Sequence, residues 1–301
     1  VSMHVDQLDV SLAVVRGLVD EQFPEWRGLA VRAVAGAGTD NALFRIGDRL
    51  AARFPLRAGA VESVRESLRR EAAAARELLG RTRVPTPEPV AIGEPGAGYP
   101  LPWAVQTWLD GTAATVADPG SSVEFACDLA DFIRDVRSID TRGRTFSGRG
   151  RGGELHTHDA WMQICFERSA DLLDVPALRR LWADMRELPR GTTPDVMSHC
   201  DLIPGNVLVA AGRLVGVIDV GGLGPADPAL DLVSAWHLLE PTARNALRTR
   251  LAPDDLEWSR ARAWAFQQAM GLVWYYLHTN PPMSYLGRRT LTRILTDPPT
   301  E

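Results

Sequence analysis

Met197-Ser198-His199-Cys200-Asp201-Leu202-Ile203-Pro204-Gly205-Asn206-Val207-Leu208-Val209, continued by Leu214-Val215-Gly216-Val217-Ile218-Asp219-Val220-Gly221-Gly222, is the stretch whose reading decides the fold. Both halves share one pattern: a polar turn marked by Gly or Pro carries an acidic residue, and an adjoining run of Val, Leu and Ile reads as a short buried strand. Such strands make a rigid frame for two carboxylates. Asp201, then Asn206 after a short turn, then Asp219 at a strand end are the groups that phosphoryl transfer needs. One carboxylate accepts the proton of an attacking hydroxyl, while an amide and a second carboxylate hold magnesium on nucleotide phosphates.

These residues carry a family resemblance. His199-Cys200-Asp201…Asn206 resembles the His-Gly-Asp…Asn catalytic loop of the aminoglycoside and macrolide phosphotransferases, antibiotic kinases with a protein-kinase-like fold. Ile218-Asp219-Val220-Gly221 resembles their Ile-Asp-Phe-Gly metal loop, and Gly224-Pro225-Ala226-Asp227-Pro228-Ala229-Leu230-Asp231-Leu232 is similar to their Gly-Asp-Pro-Ala-x-Asp-Leu helix start. The resemblance extends over nearly the whole chain and is specific for 199–231. Three positions depart from it: Cys200 stands for the usual glycine, Ile203 for a usually polar residue, and Gly222 where an acid is common. None removes Asp201, Asn206 or Asp219.

The resemblance implies an α+β, bilobal protein-kinase-like fold. A small antiparallel-sheet lobe over 1–105 would bind the nucleotide, and a larger, mainly helical lobe over 106–301 would carry the catalytic loop and the acceptor site. Asp201 is the expected catalytic base, and Asn206 and Asp219 the expected ligands of Mg2+, with ATP or GTP as phosphoryl donor. His199 and Asp231 are expected to scaffold the loop, Asp231 from a helix start where its carboxylate can receive loop amides.

Composition sets outer bounds. Of 301 residues, 45% are hydrophobic, enough for a well-buried core, and the net charge of -5 offers no basic field for nucleic acid. All 33 basic residues are arginine, so any phosphate clamp has to use Arg. Cys127, Cys165 and Cys200 are too few and too scattered for a disulfide framework or a CxxC metal site. Cys200 reads as a small buried substitute for glycine and not as a nucleophile. No apolar run approaches the length of a membrane span. A soluble, cytoplasmic protein with no membrane or nucleic-acid partner is expected, monomeric or at most a weak dimer.

Along the chain, an amphipathic helix is expected over 5–23 and strands over 31–34, 42–46 and 50–55. Between the first two strands lies Gly36-Ala37-Gly38-Thr39-Asp40-Asn41. The glycines suit an ordinary hairpin equally well. Upstream of the Asp201 and Asp219 loops, they point to a phosphate loop in which Gly36, Gly38, Thr39 and Asn41 approach the nucleotide. Arg53 on the third strand occupies the place of the kinase phosphate-binding cation. The resemblance implies a glutamate partner on the helical 61–79, and Glu71 fits the family's spacing from Val84-Pro85-Thr86-Pro87, with Glu66 as the alternative.

Leu101 to Gly111 resembles the family's hinge, so Gln106, Thr107 and Trp108 are expected at the purine edge, while Trp103 and Trp108 also suit plain core packing. Gly- and Arg-rich 142–153 reads as a mobile surface loop. Helices are expected at 123–139, 159–173, 176–187, 231–239, 241–250, 254–279 and 283–295.

The last helices are rich in aromatics, and Trp274, Tyr275, Tyr276 and His278 are candidates for an acceptor pocket. Residues 240–301 hold six acids (Glu240, Asp254, Asp255, Glu257, Asp297, Glu301) against eight arginines (Arg244, Arg248, Arg250, Arg260, Arg262, Arg288, Arg289, Arg293). That is a weak trap for a polycationic aminoglycoside, and an aromatic wall better suits a macrolide or another bulky, weakly charged natural product. The sequence therefore points to an O-phosphotransferase that inactivates a small-molecule antibiotic. A small-metabolite kinase of the same fold and a nucleotide-binding pseudokinase are the alternatives.

Overall fold

A computed structural model describes residues 8–34, 40–148 and 150–297 as an α+β protein of two compact units. The first comprises the described residues of Val1–Gly80 with Pro85–Asp110 and Ile218–Gly221; the second comprises Arg81–Val84, Gly111–Val217 and the described residues of Gly222–Glu301. The boundary falls after Asp110 and not after 105, because Gln106 and Thr107 still pair with Ala51 and Leu50 in a sheet.

In the first unit, α1 (Leu12–Gln22) precedes β1 (Val31–Ala33), β2 (Asn41–Ile46) and β3 (Leu50–Pro55); α2 (Val61–Leu78), β4 (Pro89–Gly93) and β5 (Trp103–Thr107) follow. The N-terminal helix starts seven residues later than 5, at Leu12, where Ser11 accepts from the Val14 N–H as its cap. The strands form one antiparallel sheet in the order β1-β2-β3-β5-β4. Strand alternation places Ala52 and Phe54 of β3 in the core with Phe44, Ile46, Trp103 and the α1 residues Val15, Leu18 and Val19. Trp103 stacks on Phe54 at 4.8 Å. A Cβ on Gly93 would come within 2.2 Å of the Trp103 ring, so only glycine fits beside it. Alternation also puts Arg53 on the opposite face of β3, toward α2.

The second unit holds β6 (Thr112–Ala113), α3 (Ala114–Ala117), α4 (Val123–Arg137), α5 (Asp159–Arg168), α6 (Val175–Met185), β7 (Val196–Ser198), β8 (Val207–Ala210), β9 (Arg213–Val217), β10 (Gly224–Ala226), α7 (Ser234–Leu238), α8 (Pro241–Leu251), α9 (Asp255–Tyr275) and α10 (Pro281–Thr296). Its strands form two small sheets, β10-β7 and β6-β8-β9. Its axis is α9, apolar on nearly all sides, with Trp264, Phe266 and Met270 wholly buried. Asp254 caps α9 by accepting from the Glu257 N–H at 2.7 Å. At Gly287, α10 approaches so closely that a Cβ would sit 2.8 Å from the Ala269 carbonyl of α9.

The Gly-rich loop is not a free surface loop where it is described. The Phe146 N–H donates to Asp195 at 2.8 Å, the Gly152 carbonyl accepts from Asp227 N–H at 2.9 Å, and Arg260 reaches the Gly153 carbonyl at 2.7 Å. Arg260 is anchored in turn by the buried Asp227 carboxylate, which also accepts from the Trp264 indole at 3.1 Å. The pair is fully hydrogen-bonded, the condition under which buried charges are tolerated.

Candidate active site

β7 ends at Ser198, and Ser198, His199 and Cys200 all hang from one buried carboxylate. Asp231, 1% exposed, accepts from the Ser198 hydroxyl at 2.7 Å, the His199 N–H at 2.8 Å and the Cys200 N–H at 3.0 Å. The buried His199 ring accepts from the Asp201 N–H through Nδ1 at 3.3 Å. The sharp turn this produces leaves Cys200 at φ +70°, in the left-handed region where a Cβ costs roughly 1–2 kcal/mol. Glycine would avoid that strain. Burial, then the Asp231 charge, push the Cys200 thiol up to about 12, far from thiolate character.

Asp201 is held from several sides. Its Oδ2 and carbonyl accept from Asn206 Nδ2 at 3.2 and 2.9 Å, and its carbonyl also accepts from the Ile203 N–H at 3.0 Å. Its Oδ1 accepts from Arg151 Nη2 at 3.0 Å and from Gln268 Nε2 at 3.2 Å. Arg151 Nη1 is buried with no partner among the described residues. Neither Arg151 nor Gln268 was a sequence candidate. The only local signal was a Gln-Gln pair, Gln267 and Gln268, in an otherwise apolar helix, since buried amides need partners.

Gln268 Oε1 lies 3.0 Å from His237 Nε2, and His237 Nδ1 lies 2.9 Å from Thr290 Oγ1. Burial pushes the His237 imidazole down to about 4, and Arg151 and Arg293 act in the same direction against the Gln268 bond and the Asp201 charge. The unfolded chain takes up this proton below about pH 6.5, whereas the folded chain does not until about pH 4. His237 thus contributes stability that is present above pH 6.5 and lost as pH falls through that window, at most roughly 3 kcal/mol. Urea unfolding at pH 7 and pH 5 is expected to show this loss. His237→Gln should reduce it and leave the part due to His158, whose ring burial lowers likewise. An unchanged pH slope in that variant would remove His237 from the account.

In the first unit, Arg53 Nη2 meets Asp219 Oδ1 at 3.0 Å and Arg53 Nη1 meets Glu71 Oε2 at 3.4 Å. Glu71, not Glu66, is therefore the partner on α2. Burial raises the Glu71 carboxyl, against the Arg53 charge that lowers it. Its side chain lies over Gly221, where a Cβ would come within 2.6 Å of the Glu71 Cγ. Asp219 adopts φ +60°, a conformation Asp tolerates better than most residues.

The expected purine contacts fare differently. The Thr107 N–H donates to the Glu88 carbonyl at 2.9 Å and the Trp108 N–H to the Arg49 carbonyl at 2.7 Å. Both donors are therefore taken by neighbouring strands and loops and are not free for a purine edge. Trp108 lies 4.6 Å under the Arg45 guanidinium and donates to Asp110 at 2.9 Å. Trp103 is core. Gln106 pairs with Ala51 and Pro89, and Asn41 opens β2 opposite Pro55. Gly36, Gly38 and Thr39 lie outside the described residues.

At the end of α9, Trp274, Tyr275 and Tyr276 form a run of edge-on rings at 5.6 and 4.9 Å, and His278 is exposed beyond the helix. Trp161 of α5, absent from the sequence candidates, joins Trp274 at 5.8 Å and rests on Gly271, where a Cβ would be 3.0 Å from its ring. Gln268, Gly271 and Tyr275 share one face of α9. The aromatic surface thus begins one turn from the side chain that touches Asp201.

Asn206 and Asp219, one in each unit, are each of the oxygen-donor type that a hard cation takes. Asn206 turns its amide nitrogen to Asp201, which directs its oxygen the other way, and Asp219 is about half exposed. Among the described residues no three His, Cys, Asp or Glu converge, so most of a bound ion's oxygens would come from water and phosphates, the usual state of Mg2+.

The model of the phosphotransferase enzyme family matches residues 31–264. An aminoglycoside 3'-phosphotransferase of Escherichia coli is 29% identical over 143 residues, 46% of this chain and 52% of the relative. One of Streptomyces fradiae is 32% identical over 177 residues, 54% and 62% of the two chains. The chain thus spans little more than half the length of these relatives. Among solved structures, the GDP complex of aminoglycoside 2'-phosphotransferase-IIIa superposes with a TM-score of 0.69 at 16% identity, covering 95% of this chain and 99% of the other. A macrolide 2'-phosphotransferase from Brachybacterium faecium does so with 0.62 at 19% identity, covering 96% and 100%. The expected α+β fold is the fold of these enzymes. No helix among the described residues is long and apolar enough to cross a membrane.

Proposed function

Because the chain belongs to the phosphotransferase enzyme family, we propose that it transfers the terminal phosphoryl group of ATP or GTP to a hydroxyl of a small, bulky, weakly charged antibiotic and so inactivates it. The observation that carries this reading is Asp201, fixed at Oδ1 by Arg151 and Gln268 while, among the described residues, Oδ2 meets the Asn206 amide alone. Oδ2 is the oxygen from which a carboxylate can take the proton of an attacking hydroxyl. Asn206 and Asp219 would hold Mg2+, which supplies charge neutralisation on the nucleotide phosphates. Arg53 would bind and align those phosphates, and the unpartnered Arg151 Nη1 would take an oxygen of the transferred group. His199 and Asp231 hold the loop in register.

The aromatic surface of Trp161, Trp274 and Tyr275 favours an apolar acceptor. Four acids of this region are already paired: Glu240 with Arg289 and Arg293, Asp255 with Arg248, Glu257 with Arg137 and Asp297 with Arg244. A polycationic acceptor would find few unpaired carboxylates there. The aminoglycoside relatives favour a second reading, in which an aminoglycoside is the acceptor.

Incubation with Mg2+, ATP or GTP and a panel of macrolides, aminoglycosides and hydroxylated metabolites separates these readings. A mass gain of one phosphoryl group on a macrolide-like compound is expected. A gain on aminoglycosides alone would overturn the acceptor class. Modification of metabolites alone would make the chain a metabolite kinase, and nucleotide binding with no product would make it a pseudokinase.

A further inference from the structure

An ionised carboxylate only accepts hydrogen bonds, so the end of Gln268 that lies 3.2 Å from Asp201 Oδ1 must be its NH2. The other end, 3.0 Å from His237 Nε2, is then an oxygen, and the imidazole must donate from Nε2. Nδ1 carries no proton and accepts from the Thr290 hydroxyl at 2.9 Å. His237 and Thr290 are 2% and 0% exposed, so water does not exchange these roles. Arg293 donates to the Trp236 and His237 carbonyls at 3.0 and 2.9 Å and pins α7 in place. The bonds therefore run with one polarity, from Thr290 through His237 and Gln268 to Asp201.

The geometry points to Gln268, locked by His237 and Thr290, as the positioning residue that decides which oxygen of Asp201 receives the acceptor's proton. This rests on the phosphotransferase reading. With Oδ1 occupied by Gln268 and Arg151, the acceptor O–H bond breaks with its proton passing to Oδ2. The acceptor oxygen bonds to phosphorus as the bond from phosphorus to the nucleotide's bridging oxygen breaks, and the nucleoside diphosphate leaves. Oδ2 later gives its proton to solvent. Gln268 and Arg151 hold the plane of the carboxylate, so that one oxygen faces these donors and the other faces away from them.

Two measurements test this on the full chain. Nitrogen-15 NMR of labelled histidines is expected to show His237 as the neutral Nε2–H tautomer, with the Nδ1–H form appearing in Gln268→Leu. In steady-state assays with an acceptor that the wild type phosphorylates, Gln268→Leu should lower kcat by about tenfold or more while the nucleotide KM stays within about twofold. His237→Leu should lose a similar factor and the double variant little more, whereas His237→Gln, whose amide nitrogen replaces ring Nε2 as donor, should recover most of it.

Additive losses, or a loss of kcat that follows a fall in melting temperature, would overturn the proposal. An Nδ1–H tautomer in the wild type would overturn it whatever the chain phosphorylates. If the Nε2–H tautomer is found and no acceptor is phosphorylated, the functional reading fails, and proton placement falls with it while the polarity of the chain of bonds stands.

Discussion

Asp201→Asn is expected to lower turnover by about 10²–10⁴, the usual share of a positioned base, with nucleotide affinity near wild type. The substitution keeps the shape of the side chain and an oxygen for Arg151 and Gln268, which lie 3.0 and 3.2 Å from Oδ1. What it removes is the proton affinity at Oδ2, the atom that meets only Asn206 at 3.2 Å. Because Asp231, and not Asp201, holds the Ser198 hydroxyl and the His199 and Cys200 N–H groups, the loop should keep its form. Steady-state kinetics with the identified acceptor, beside calorimetric titration of nucleotide, separate the two effects. A variant that keeps most of its turnover would take Asp201 out of the role of base.

Asp219→Ala is expected to abolish the magnesium-dependent part of nucleotide binding, because Asn206 alone is a neutral and weak partner for a hard cation. The same change releases Arg53 from its 3.0 Å pairing and leaves it with Glu71 at 3.4 Å. An arginine so released still attracts phosphate, so residual affinity that ignores magnesium is the expected remainder. Alanine also sits badly at φ +60°, which Asn tolerates, so Asp219→Asn gives the cleaner comparison. It should lose magnesium dependence with an unchanged melting temperature. Titrations with magnesium and with a chelator should become superimposable, and an affinity still enhanced by magnesium in both variants would contradict the assignment.

The Asp201 and Asp219 loops were legible because their signals are local. A Val- and Leu-rich strand fixes each turn, and the glycine or proline that permits the turn stands within a few residues of the acid it presents. The pairing of Arg53 with Glu71 was an expectation of the family resemblance, and strand alternation, which is also short-range, turns Arg53 away from the core so that it can form. The hinge was less legible. Its sequence announced a strand with aromatic residues, but not that the Thr107 and Trp108 N–H groups would be taken by the Glu88 and Arg49 carbonyls, since those partners come from separate segments. The Gly-rich loop misled for a like reason: its composition suggests mobility, while Asp195, Asp227 and Arg260 tie it down from elsewhere in the chain.

By itself the sequence determined the fold class and the strand order within each local run, and singled out Asp201 and Asp219 as the candidate acids, because periodicity and turn chemistry act over neighbouring residues. Only the tertiary structure decided what surrounds Asp201. Arg151, Gln268, His237 and Thr290 lie on a loop and three different helices, and their separations of 50 residues from Arg151 to Asp201, 67 from Asp201 to Gln268, 31 from Gln268 to His237 and 53 from His237 to Thr290 leave no periodic trace. Their hydrogen-bond polarity arises because packing removes water from His237 and Thr290, so each donor has to find the one acceptor that the fold places beside it.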